Sequence, residues 1–247
     1  MSFIPDEQTR GLTAESVVPL RYGSRGVEPY EANGLILSMI PEGCRVLDVG
    51  CGTGVLSKMI QDLRKCEVVG IEPSPERAEA ARELGITIIN TILSDVVAAE
   101  VGKFDIIILA DVLEHLVSPS SMLDLCRKML NPMGAIIASV PNVAHWTVRF
   151  ELLRGNFNYT ATGIMDATHL RWFTRKTVRR LFETAKLEIV SFQASAGRWM
   201  WQYDKKRPWY WFSEERRTIL ISALTRRWPA LCGCQHIVKA VDQRAKG

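Results

Sequence analysis

Residues 45–54 read Arg45-Val-Leu-Asp48-Val-Gly50-Cys51-Gly52-Thr-Gly54. A short β-branched run ending in glycines is the pattern of a buried strand that feeds a tight turn. From Thr53 to Lys65 the apolar residues Val55, Leu56, Met59, Ile60 and Leu63 recur at helical spacing. Strand, glycine loop and helix open a βαβ unit, and the chain repeats the rhythm. Glu67–Ile71 reads as a second strand, and Ser74 with Glu76 opens a charged helix running to about Leu84. Ile86–Ile89, Phe104–Ala110 and Ala135–Val140 read as further strands. A helix over Pro119–Leu130 is closed by the turn signal Asn131-Pro-Met-Gly134. This alternation predicts an α/β fold: a doubly wound, mostly parallel sheet covered on both faces.

Past Pro141 the rhythm changes. Thr174–Ala185 reads as a helix capped by Thr174, with strands at Leu187–Phe192 and Gln235–Val241. There is no internal repeat, low-complexity tract or linker, so 1–247 is expected to be a single domain. Within it, 1–40 form a helical cover, 45–140 a ligand-binding core, and 141–247 acceptor-side segments interrupted by an aromatic insert at 197–230.

The 247 residues are 47% hydrophobic and 23% charged, an ordinary globular composition that excludes a disordered or fibrous chain. No apolar run approaches the roughly 18 residues that span a bilayer. The start Met1-Ser-Phe-Ile-Pro-Asp-Glu lacks a signal-peptide pattern, and six cysteines read as reduced thiols. The expected location is the cytoplasm. Charge is uneven: 1–138 carry 12 basic against 19 acidic residues, whereas 139–247 carry 19 against 8. The basic half could meet an anionic partner or be a solvated face.

The glycine loop limits the ligand. A dinucleotide fingerprint needs glycine where Val55 stands, and a phosphate loop needs Gly-Lys-Ser/Thr, which is absent. Asp48, close upstream, suits a cationic amine better than a pyrophosphate. Glu72, at the end of the second strand, can accept bonds from both hydroxyls of a ribose. Together they fit an adenosine that carries an amino-acid tail.

Three blocks then resemble a known family: Val46-Leu-Asp-Val-Gly-Cys-Gly-Thr-Gly54, Val69-Gly-Ile-Glu72, and Phe104-Asp-Ile-Ile-Ile-Leu-Ala-Asp-Val-Leu-Glu-His115. They look like class I S-adenosylmethionine-dependent methyltransferases, nearest the group that holds ubiquinone-biosynthesis O-methyltransferases and glycan-associated methyltransferases. Ser139-Val-Pro-Asn-Val-Ala-His-Trp146 and Asp166-Ala-Thr-His-Leu-Arg-Trp-Phe-Thr174 extend the likeness over roughly 27–195. The resemblance implies a Rossmann-like sheet of seven strands with the last antiparallel, and the cofactor at the C-terminal strand ends. It implies Gly50, Cys51 and Gly52 along the methionine and ribose, Asp48 at the amino group, and Glu72 at the ribose. Pro73 would lie beside the adenine, Ser94 and Asp95 at the adenine edge, and Ala110 and Asp111 under the methionine. S-adenosylhomocysteine is the implied product.

Methyl transfer needs alignment and a base, and histidine is the natural base near neutral pH. His115, His145 and His169 are candidates for catalysis or acceptor contact; His236 reads as structural. Asp111, Glu114 and His115 form D-x-x-E-H, similar to the metal-bearing E-x-x-E-H of ubiquinone O-methyltransferases and small-RNA 2′-O-methyltransferases. With His169 these residues could hold a divalent metal, but the shorter Asp111 argues against it and no metal is assigned. Arg149, Arg154 and Arg171 could clamp an anionic acceptor or be plain surface charge. Cys51 reads as a small packing residue, and Cys232-Gly-Cys234 lacks zinc-site spacing.

The insert gathers Trp199, Trp201, Tyr203, Trp209, Tyr210, Trp211 and Phe212 around Lys205, Lys206 and Arg207. It could wall the acceptor site, join subunits in a homo-oligomer, touch a membrane or stack nucleic-acid bases. The expected activity is O-methylation of a small-molecule or glycan acceptor. Metal-dependent RNA 2′-O-methylation is the alternative, opposed by the absence of an RNA-binding module, and a non-catalytic cofactor-binding scaffold is the third.

Overall fold

The computed structural model describes residues 28–200, 202–203 and 209–243. Strands β1 (Arg45–Val49), β2 (Glu67–Ile71), β3 (Thr87–Ile89), β4 (Phe104–Ala110), β5 (Leu130–Pro141), β6 (Leu187–Ser195) and β7 (Gln235–Asp242) form one sheet. Their order is β3-β2-β1-β4-β5-β7-β6. β1 to β5 pair in parallel, and β7 runs antiparallel between β5 and β6. The expected mostly parallel sheet with an antiparallel last strand is therefore the observed one.

Alternation along the strands sends side chains to two cores. Ile107 and Leu109 of β4 face one side, with Phe104, Ile136 and Val238. Leu123 and Cys126 of α5 (Pro119–Lys128) and Val178 and Phe182 of α7 (Arg175–Thr184) close over them. Ile106 and Ile108 face the other side, under Leu35 and Ile36 of α1 (Ala32–Ser38) and Ile60 of α2 (Val55–Arg64). α1 packs on this face of the sheet; residues 1–27 of the cover expected over 1–40 lie outside the described residues. Thr174 caps α7 in a capping box with Thr177.

Five elements depart from the sequence reading, the short α9 (Pro229–Cys232) among them. β5 starts at Leu130, before the expected turn, and pairs through an irregularity between Phe104 and Ile106. Helices α4 (Asp95–Val101), α6 (Trp146–Leu153) and α8 (Glu214–Arg227) form where no helix was read. α6 and α8 have weak amphipathic patterns because both expose apolar residues, Phe150, Leu152 and Leu153 of α6 and Ile219 and Leu220 of α8. The remaining helix is α3 (Pro75–Glu83).

Candidate active site

A cavity of about 690 Å³ opens at the C-terminal ends of β1, β2 and β4. The glycine loop forms one wall. Gly50, Gly52 and Gly54 have φ of 69°, 58° and 75°, a left-handed backbone that an L side chain adopts only with strain. Closeness matters as well: a Cβ on Gly54 would lie 2.7 Å from Cβ of Ala81 in α3, and one on Gly50 would lie 2.9 Å from Val112. Cys51 packs over β2, where Gly70 leaves room for its sulfur.

Two buried carboxyls organise this end. Glu72 accepts the N–H of Gly52 at 2.8 Å through Oε2 and the N–H of Ser74 at 3.0 Å through Oε1. Asp48 accepts the Ser57 hydroxyl at 2.6 Å. Burial pushes the Asp48 carboxyl up to about 7, with the Glu72 charge adding to the rise and the Ser57 bond opposing it. A buried carboxyl poised near neutrality is completed by a cationic partner, which suits an amino group or sulfonium. Both carboxyls line the cavity, with Pro73 and Ala110.

At the other end a 3₁₀ turn, Leu113–His115, follows β4. The backbone oxygen of Glu114 accepts the N–H groups of Leu170 and Arg171, both at 2.9 Å, and so pins the 160s loop across it. That docking brings His169 against His115, ring centroids 4.9 Å apart and edge to face. Glu114, His115 and His169 each offer a ligand atom within 4.8 Å of the others. Burial, with the charges of Asp111 and Asp166, drives the Glu114 carboxyl well above the usual range, and neither of its buried oxygens has a hydrogen-bond partner. Burial and the neighbouring His115 ring push His169 down.

The methyltransferase domain family matches residues 26–192, about two thirds of the chain. The chain belongs to the methyltransferase domain family. A ubiquinone biosynthesis O-methyltransferase of Xanthomonas axonopodis pv. citri (strain 306) is 35% identical over 135 residues, covering 52% of this chain and 55% of the relative. The chain spans about half the length of the curated relatives it matches. Its fold is that of S-adenosylmethionine-dependent methyltransferases. One from Archaeoglobus fulgidus superposes with a TM-score of 0.56 at 15% identity, over 85% of this chain and 94% of that one. A Haemonchus contortus phosphoethanolamine N-methyltransferase in complex with S-adenosyl-L-methionine superposes with a TM-score of 0.54 at 14% identity, over 85% and 52%. The carboxyls and glycines of this methyltransferase fit that cofactor: Asp48 and Glu72 are buried acceptors, and the loop leaves the approach clear of Cβ atoms.

Not every residue singled out from sequence reaches the cavity. Asp48, Gly50, Cys51, Gly52, Glu72, Pro73, Ala110, Asp111, His115 and His169 line it. Ser94 instead caps α4, accepting the N–H of Val97, and Asp95 is exposed; Thr91, Ile92 and Leu93 make the wall there. His145 is a buried cap of α6, bonded to Thr147 Oγ1 at 2.8 Å and facing Tyr203 Oη at 3.3 Å. Burial pushes it down to about 4, and it is not among the residues that line the cavity. Asp111 is not part of the Glu114–His115–His169 group and is bonded elsewhere: Gln235 Nε2 donates to both its oxygens at 2.6 and 2.7 Å, and Ser139 Oγ donates at 2.7 Å. Arg149 and Arg154 bond Ala144 and Glu151 on the surface, and Arg171 bonds Val117; none lines the cavity.

The sequence reading missed Gln235, Ser139 and Ser57. Ser57 sits on the α2 face toward Asp48, a signal that helical spacing carried. Gln235 lies 124 residues from Asp111, beyond any local signal. The aromatic insert is split. Trp199 lines the cavity, Tyr203 and Trp209 pack in a small core with Trp146 and Ile221, and Trp211 and Phe212 are exposed. Trp201, Lys205, Lys206 and Arg207 lie outside the described residues.

Proposed function

We propose that this chain transfers a methyl group from S-adenosylmethionine to a hydroxyl oxygen of a small-molecule or sugar-containing acceptor, in the cytoplasm. One observation carries the reading: a single cavity joins the Asp48–Glu72 carboxyls to a pair of imidazoles. When bound, the cofactor supplies an electrophilic methyl on a sulfonium. Glu72 would take the ribose hydroxyls and Asp48 the amino end, fixing the direction in which the methyl is presented.

His115 Nδ1 lies 3.2 Å from the oxygen of Thr168, and His169 Nδ1 lies 3.1 Å from that of Ile164. A carbonyl only accepts, so each Nδ1 carries the hydrogen and each Nε2 keeps a lone pair. Either Nε2 can receive the acceptor's hydroxyl proton as the oxygen–methyl bond forms. His115 is the less buried of the two, which leaves it the stronger candidate. Arg77, at the Glu72 end, is the one Lys or Arg among the described lining residues. The name of the Xanthomonas relative, an O-methyltransferase, supports the oxygen acceptor.

The orphaned Glu114 oxygens favour a second reading of the same cluster. A buried carboxyl without donors holds either a proton or a cation. One carboxylate and two Nε2 atoms are a fitting donor set for a divalent ion, which would acidify a bound hydroxyl. The test supplies methyl-labelled S-adenosylmethionine and fractionated cell extract to the purified chain, with and without a chelator. Label in a small-molecule or glycan fraction is expected. Label in RNA would overturn the acceptor class. Loss of label with chelator would select the metal-assisted reading.

A further inference from the structure

α8 is turned inside out. Its inward residues are Ile221 and the hydroxyls Thr218, Ser222 and Thr225. Thr218 accepts Arg198 at 2.9 Å, Thr225 donates to the oxygen of Cys232 at 3.2 Å, and Ser222 Oγ is buried without a partner. Its outward residues are Ile219, Leu220 and Ala223, continued by Phe212 before the helix and by Trp228 and Leu231 after it. Ile219 is 61% exposed, Trp211 65% and Trp228 48%. A helix that buries hydroxyls and turns isoleucine, leucine and tryptophan outward reverses the usual arrangement of a globular surface.

Charge identifies what the face meets. Arg216, Arg226 and Arg227 flank the apolar residues and are exposed, while Glu214 and Glu215 are confined to the first turn. Of the described residues between 209 and 231, four are basic and two acidic. A second copy packed antiparallel would set Arg226 and Arg227 against Glu214 and Glu215, so a dimer is the competing occupant that the test must separate. An anionic lipid surface matches both properties: phosphates for the arginines, and the glycerol and upper acyl region for the tryptophan and aliphatic side chains. Among the described residues no helix is long and apolar enough to cross a bilayer, so α8 would lie along the surface, over about 21 Å for its 14 residues.

We propose that the outward face of α8, with Phe212, Trp228 and Leu231, docks this chain reversibly on anionic phospholipid bilayers.

The test is co-sedimentation of the full chain with vesicles of phosphatidylcholine alone or with about 30% phosphatidylglycerol. Binding is expected to be at least about tenfold tighter to the anionic vesicles and to weaken at about 0.5 M salt. Ile219→Asp with Leu220→Asp, and separately Arg226→Glu with Arg227→Glu, should each lower it about tenfold or more. All four positions are exposed, and unchanged affinity for S-adenosylhomocysteine reports an intact fold. That titration also reads the cofactor site separately, so docking and the methyltransferase reading fail distinguishably. Absence of binding to anionic vesicles, equal binding to neutral ones, or full binding by either double variant would overturn the proposal. So would a dimer in solution that the Ile219→Asp, Leu220→Asp variant dissociates.

Discussion

Glu72 does two things at once. Its carboxylate holds the glycine loop through the Gly52 and Ser74 N–H groups, and it lines the cofactor end of the cavity. Glu72→Ala should therefore weaken S-adenosylhomocysteine binding by about 2–4 kcal/mol, from bonds to a charged group, with a cooperative fold retained. Calorimetric titration reads this, and unchanged affinity would remove Glu72 from the ribose. Asp48 shows how a binding residue weighs on stability. Its folded-state value is raised to about 7 from an ordinary 3.8, so folding favours the protonated form. The associated stability is full below about 3.8 and is lost as pH rises toward 7, because the unfolded chain ionises first. Asp48→Asn should raise the melting temperature of the ligand-free protein at pH 8, leave it nearly unchanged at pH 4, and weaken cofactor binding about tenfold or more. A variant that melts lower at pH 8 would contradict this account.

Elements hold these residues through close backbone approach. The start of α2 lies against α3 at Gly54, where a Cβ would meet Ala81 at 2.7 Å and the backbone is left-handed. Gly54→Ala should cost about 2–4 kcal/mol in urea unfolding, from conformational strain and overpacking together. The α6 region tests the opposite expectation. Tyr203 Oη accepts the Trp146 indole N–H at 3.1 Å and lies 3.3 Å from His145 Nε2, away from the cavity. Tyr203→Phe should cost about 1–2 kcal/mol of stability and leave cofactor affinity unchanged. A large loss of affinity would show that this small core governs the site.

For the molecule as a whole, acid is the revealing stress. Burial holds His145 and His236 down at about 4, against an ordinary 6.5. The unfolded chain takes up these two protons first, so the stability they represent is complete above pH 6.5 and is lost as pH falls toward 4. The raised carboxyls of Asp48 and Glu114 act in the opposite direction, so the share of one histidine is read by removing it. His236→Phe should raise the melting temperature at pH 4.5 relative to that at pH 7, whatever its effect on absolute stability. An unchanged difference between the two would place the acid sensitivity elsewhere.

The order of strands and helices from Arg45 to Val140, the glycine loop and the two cofactor carboxyls could be read from the sequence, because each rests on local rules. Buried strands show as apolar runs, tight turns as glycines, and a cofactor acid as a carboxylate ending a strand. The departures share a cause. Ser94 matched a family position, yet its hydroxyl serves the N-terminus of α4, and His145 matched a conspicuous motif, yet it caps α6. Sequence names a side chain but not the direction it faces. Asp111 is bonded by Gln235, a contact across 124 residues, and the Glu114–His115–His169 cluster exists because the 160s loop docks on the oxygen of Glu114. The inverted α8 likewise becomes visible only when its hydroxyls are seen to face the protein. Local chemistry was fixed by residues near in sequence; which groups meet in the cavity, and which face solvent, was decided by long-range packing.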